Sequence, residues 1–122
     1  MSNLIKGRHF QLWEYHVGHG SLLIRSPAWP DFDASIDIIS VGVEYLACAR
    51  HLGEITITKP SRDEVEHVER MIQKGIRPPR QMWVLESATA RFLLVAADLQ
   101  IKEHYGGIFD GPFKSVIPKP NG

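Results

Sequence analysis

One cysteine, Cys48, stands in the whole chain, so no intramolecular disulfide and no thiolate metal cluster can form within one copy. Following Leu46 and Ala47, it reads as a small buried hydrophobe and not as a nucleophile. An excess of charge is missing too: 14 Lys and Arg balance 14 Asp and Glu. A chain without a net field is not drawn onto phosphate backbones or anionic lipid, so neither nucleic acid nor membrane is an expected partner. The same neutrality leaves little repulsion between copies, which keeps self-association and a protein partner open. No apolar run reaches the ~18 residues that a membrane helix needs. The first residues lack the long apolar stretch of a secretion signal. A cytoplasmic location fits these absences.

Catalytic and nucleotide motifs are also absent. There is no internal repeat, no phosphate loop, no G-x-G-x-x-G opening a helix and no G-x-S-x-G elbow. Gly18, Gly20, Gly106, Gly107 and Gly111 stand where turns are needed.

What is present is the composition of a packed core. With 43% hydrophobic and 23% charged residues over 122 positions, residues 1–122 read as a single domain. Residues 10–17 and 20–26 alternate in strand fashion around Gly18 and His19. A two-residue type II′ turn there would set Tyr15 opposite Leu22 and Trp13 opposite Ile24. Trp13, Tyr15, Val17, Leu22 and Ile24 would then share one buried face, with Glu14 diagonal to Arg25 on the exposed one. Residues 35–46 are strongly strand-prone but change apolar phase midway. Either a bulge near Ile39 and Ser40 restores one face, or the strand is central and buried on both, with Gly42 where another backbone comes close. Ile55 and Ile57 alternate with Thr56 and Thr58 in a half-exposed strand over 53–58.

The period then changes. Ser61 and Glu64 form a capping box, and Val65, Val68, Met71 and Ile72 form a helical stripe, predicting a helix over about residues 61–75 closed by Gly75. Residues 81–86 read as a strand and 87–90 as a turn. Residues 91–103 read as one long strand, a helix being the competing reading. Residues 110–112 suit a turn and 113–117 a short edge strand. The expected class is α+β, mainly antiparallel β: a six- or seven-stranded curled sheet, small sandwich or barrel with one helix.

Few residues invite chemistry. His16 and His19 are spaced H-x-x-H, with His9 upstream and Glu14 nearby, and could converge on a metal. A metal site needs three or four ligands, and ordinary hairpin-end histidines explain the pair as well. Ser21 beside His16 lacks the oxyanion donors that acyl transfer requires. Asp31, Asp33, Asp37 and Glu44 are scattered over loop and strand, which fits turn and solvent roles. Arg77 and Arg80 flank two prolines as a small basic spot. Trp29 and Phe32 sit in a proline-rich loop where rigid aromatics lose little entropy on binding. The candidate binding residues are therefore Trp29, Phe32, His16 and His19. No catalytic residue, metal or cofactor is assigned.

The stretches Leu12-Trp13-Glu14-Tyr15-His16-Val17, His19-Gly20, Leu22-Leu23-Ile24-Arg25-Ser26, Asp37-Ile38-Ile39 and Gly42-Val43-Glu44-Tyr45 resemble a group of short uncharacterised bacterial proteins. The resemblance covers roughly the first half of the chain and implies a stand-alone bacterial domain without an assigned activity. Some comparably small β-rich bacterial proteins are immunity or accessory proteins that bind a toxin. The leading expectation is a non-enzymatic protein- or ligand-binding domain. The alternatives are an immunity-type protein and a small-molecule-binding or metal-assisted enzyme using the hairpin histidines.

Overall fold

The computed structural model describes residues 3–28, 30–106 and 111. A short 3-10 turn at Asn3–Ile5 precedes β1 (Phe10–His16), β2 (Ser21–Ser26), β3 (Ser35–Val41), β4 (Tyr45–Ala47), β5 (His51–Gly53) and β6 (Thr56–Thr58). Helix α1 (Arg62–Ile72) follows, then β7 (Gln81–Glu86), β8 (Arg91–Ala96) and β9 (Asp98–His104). All pairings are antiparallel and form two sheets, in the orders β5-β1-β2-β3-β9 and β4-β8-β7-β6. The expected mainly antiparallel class holds. The sheets are not closed into a barrel.

The described residues form nine strands because two of the expected strands, over 35–46 and 91–103, are each divided once, and an unexpected strand, β5, precedes β6. Both divisions are passages from one sheet to the other, β3 to β4 through Gly42 and β8 to β9 through Ala97, and the chain also changes sheet from β4 to β5 and from β5 to β6 through Glu54 and Ile55. Strands that bend and switch sheets are how stacked sheets make corners. At Gly42 (φ +63) a Cβ would stand 2.9 Å from that of Ala97, so two corners touch where only glycine fits. The ladder continues around the bend, the Ala97 N–H donating to Val41 O at 2.9 Å and the Glu44 N–H to Val95 O at 2.8 Å. The approach at Gly42 is legible in the sequence, and of the two readings left open for this strand the second holds: β3 has no bulge at Ile39 and Ser40 and is buried on both faces.

The main core lies between the sheets. Phe10, Leu22, Ile24, Ile36, Ile38 and Leu52 of the first sheet pack against Ile57, Leu85, Leu94 and Ala96 of the second. Each fully buried aliphatic side chain stabilises the fold by roughly 1.5–3 kcal/mol relative to exposure. Alternation along β7 and β8 sends Met82 and Val95 to the opposite face, where α1 lays down Val65, Val68 and Ile72. The molecule is thus three layers: five-stranded sheet, four-stranded sheet, helix.

The helix begins as expected. The Ser61 hydroxyl accepts the Glu64 N–H at 3.1 Å, and the Glu64 carboxylate accepts the Ser61 N–H at 2.8 Å. It ends earlier, at Ile72, because Gln73 takes the left-handed conformation (φ 61) expected at Gly75. Met71 leaves the expected stripe and is exposed.

The first hairpin differs from expectation in two ways. His16, Tyr15 and Glu14 do face Ser21, Leu22 and Leu23, but residues 17–20 make a four-residue connection. The positive φ falls at Gly20, not Gly18, since the Cα of Gly20 faces the Val43 backbone. At Trp13 the strand bulges, so Leu12, not Trp13, faces Ile24. An extra residue in one strand turns everything before it to the other face. Leu12 packs on the core, Trp13 stays half-buried, and Tyr15 and Val17 are exposed. Arg25, expected on the exposed face, is fully buried. The turn and edge strand expected over 110–117 lie outside the described residues, apart from Gly111, at which no strand is formed.

Candidate functional site

The hairpin histidines do not converge. His9 precedes β1 and lies 3.6 Å from Glu54, with 77% of its side chain exposed. His16, at the other end of a seven-residue strand, has its Nε2 2.9 Å from Glu14 Oε1, and His19 is exposed in the connection. Seven strand residues span about 20 Å, too far for shared coordination. Among the described residues no three His, Cys, Asp or Glu side chains are placed to hold a metal ion. The Cys48 thiol is half-buried, and that burial pushes its pKa up, away from thiolate chemistry.

Of the two loop aromatics, Trp29 lies outside the described residues. Phe32 is half-exposed, and one ring face carries the Arg8 guanidinium at 3.8 Å. Arg8 is itself buried. Its Nε donates to Ser26 Oγ at 3.0 Å, and its Nη2 donates to the carbonyls of Ser26 (3.0 Å), Ala34 (2.8 Å) and Pro27 (3.4 Å). One side chain thereby ties both ends of the connection between β2 and β3. Burial lowers the Arg8 pKa, with Glu103 opposing.

The concave feature with converging charges lies elsewhere, at the C-terminal end of α1. After Gln73 reverses the helix, Glu69 folds the following residues back: its carboxylate accepts the Ile76 N–H at 2.7 Å, and its carbonyl accepts the Lys74 N–H at 3.2 Å. Residues 77–80 then turn, the Arg80 N–H donating to Arg77 O at 2.9 Å, with a cis peptide bond between Pro78 and Pro79. This segment and the corner after Gly42 enclose a cleft of about 510 Å³. Ile72, Ile76 and Val95 supply its apolar part, and Lys74, Arg77, Arg80 and Glu44 supply its charge.

Two cations meet one carboxylate there, and a third stands nearby. Glu44 Oε1 lies 2.5 Å from Lys74 Nζ, and its Oε2 lies 3.7 Å from Arg80 Nε. The hydrogen bond from Lys74 holds the Glu44 carboxyl below the usual range, so it stays ionised. Arg80 Nε also donates to the Gly42 carbonyl at 3.1 Å, tying the cleft to the corner between the sheets. Arg77 stands at the rim with no side-chain hydrogen bond or ion pair to the described residues. On the far side of the same prolines, Pro60, Val65, Met82 and neighbouring residues line a shallower groove of about 350 Å³.

Sequence reasoning marks Arg77 and Arg80 only as a small basic spot. The missing partner is Glu44, more than thirty positions earlier, which only the corner at Gly42 brings across. Lys74 gives no signal of its own, since a lysine after a helix usually just faces water. In comparison with known proteins, no family model, no curated protein and no solved structure matches this chain.

Proposed function

We propose that the protein is a non-enzymatic binding domain that takes a small anionic ligand in the cleft beside Arg77 and Arg80. The observation that carries this reading is the excess of cations over an apolar floor: Lys74, Arg77 and Arg80 against the single carboxylate of Glu44. Planar guanidinium groups favour carboxylates and phosphates, which they can engage through two parallel hydrogen bonds. Arg77 has its side-chain donors uncommitted among the described residues, whereas Lys74 and Arg80 are positioned by Glu44. The apolar wall of Ile72, Ile76 and Val95 suits a short hydrocarbon or ring attached to the anionic group. Among the described residues the lining holds no hydroxyl, thiol or imidazole, and its one carboxylate is ion-paired, which favours retention of a ligand over its conversion.

Thermal melting with phenylphosphate, hexanoate and inorganic phosphate, followed by calorimetric titration of any compound that raises the Tm, tests this. A compound carrying both an anion and an apolar group should bind, and Arg77→Ala should weaken it about tenfold or more without changing the unliganded Tm. If none of the three shifts the Tm, or if Arg77→Ala binds like the wild type, the assignment of this cleft fails.

A further inference from the structure

We infer that the free edge of β9 is a self-association surface, pairing with β9 of a second copy across a two-fold axis at Gln100. The two sheets end on β5 and β9 and on β4 and β6. Three of these edge strands are three residues long, and β9 has seven. Proteins blunt sheet edges with short strands, prolines, bulges or inward charges, because an unpaired row of N–H and C=O groups is a template for another strand. β9 runs in unbroken register with β3, from Asp98 opposite Val41 to His104 opposite Ser35, with no proline and no bulge. Among the described residues no strand pairs with its far side. Gly111 lies instead near Glu14 and Leu23, on β1 and β2.

The side-chain sequence of β9 is complementary to itself. A two-fold axis normal to the sheet keeps each face with its own kind, so only residues on the same face can oppose one another. With Gln100 on the axis, Asp98 of each copy faces Lys102 of the other, twice by symmetry. Both side chains are exposed and point away from the core. On the other face the same register sets Leu99 against Ile101. Both are only half-buried, at the margin of the main core. Moving the axis to Leu99 or Ile101 leaves Asp98 opposite Gln100 or His104, and Lys102 without a carboxylate. One register therefore matches charge with charge and apolar with apolar, the pairings that stabilise antiparallel strands. The lysine that would ordinarily guard this edge is answered by the strand's own aspartate. The chain's net charge of zero adds no long-range repulsion between copies.

Sedimentation velocity across a concentration series, on wild type, Asp98→Lys and Lys102→Asp, tests the pairing. Wild type should dimerise. Each variant alone sets like charges opposite each other at both positions and should dissociate about tenfold or more easily. Mixing the two variants sets a lysine of one chain opposite an aspartate of the other at both positions, and should restore dimers as a heterodimer. The new carboxylate of Lys102→Asp would also stand opposite Asp37 on β3, so circular dichroism should confirm that this variant folds. If it does not fold, hydrogen exchange on the wild type decides. Amides on the free side of β9 should become protected as concentration rises, while those of β5 do not. A monomer at every concentration, a dimer indifferent to either variant, or exchange at β9 independent of concentration would each overturn the proposal.

Discussion

Arg25 and Asp37 face each other across β2 and β3, Nε 2.7 Å from Oδ1 and Nη2 3.0 Å from Oδ2, and both are buried. The Trp13 ring stands 5.5 Å from the guanidinium carbon, so the bulge that moved this side chain out of the core placed it beside the ion pair. Removing one member of such a pair leaves a buried charge uncompensated, which costs about 3–5 kcal/mol. Asp37→Ala should therefore lower unfolding free energy by that amount in urea. The double variant Arg25→Met, Asp37→Leu should be more stable than either single variant at the same positions. If the double variant is the least stable of the three, the pair is not the element that holds this face.

Gly42 offers a comparison built into the chain. Gly42 and Gly53 both have positive φ, +63 and +76, but a Cβ meets nothing within 4 Å at Gly53 and meets Ala97 at 2.9 Å at Gly42. Gly53→Ala should show the backbone penalty alone, about 1–2 kcal/mol. Gly42→Ala should add overpacking, typically about 1–3 kcal/mol more. Equal losses for the two in chemical denaturation would mean that the corner yields freely.

Glu64 should make the helix start sensitive to acid. Both of its oxygens receive hydrogen bonds from Arg91, at 2.8 Å each, and the Ser61 N–H donates to one of them. The Arg91 hydrogen bonds, with the smaller help of Ser61, hold its carboxyl at about 2, down from 4.5. A depressed carboxylate stabilises the fold fully above its unfolded value and loses that contribution as pH falls through its folded value. Glu64→Gln should cost about 1 kcal/mol near pH 7, a modest figure because the Arg91 side chain is partly exposed. The difference from wild type should shrink between pH 4.5 and about 2. A gap that stays constant over that window, in melts taken at each pH, would remove the charge from the explanation.

The parts of the fold readable from the sequence are those decided by neighbours. The capping box of Ser61 and Glu64, the stripe of Val65, Val68 and Ile72, and the strand character of residues 81–86 depend on contacts within one or two turns or on period alone. The helix end, two residues early at Gln73, and the exposed Met71 are local misreadings, and the larger ones involve partners far away in the chain. Residues 91–103 have one strand-like pattern, but Ala97 must bend because Gly42 sits against it. The bulge at Trp13 leaves no trace in alternation, because a Leu-Trp step is apolar at both positions and either can turn inward. Arg25 reads as exposed because a lone arginine in a strand normally is, and its carboxylate lies on the next strand. The candidate cleft is half-visible for the same reason: Arg77 and Arg80 are local to each other, and Glu44 is not.

The four passages between sheets also govern the order in which this protein can be made. Neither sheet is a contiguous stretch: the first needs β9 to finish, and the second places β8 in its interior, between β4 and β7. While the ribosome is still delivering the helix, Leu22, Ile24, Ile36 and Ile38 already have their strands but lack the layer that covers them. The nascent chain must hold that apolar face open until β7 and β8 arrive, the condition in which partly made domains attract chaperones or each other. Truncation before β8 should therefore yield an aggregating fragment and not a smaller sheet, and the last third of the chain is the segment that commits the whole to folding.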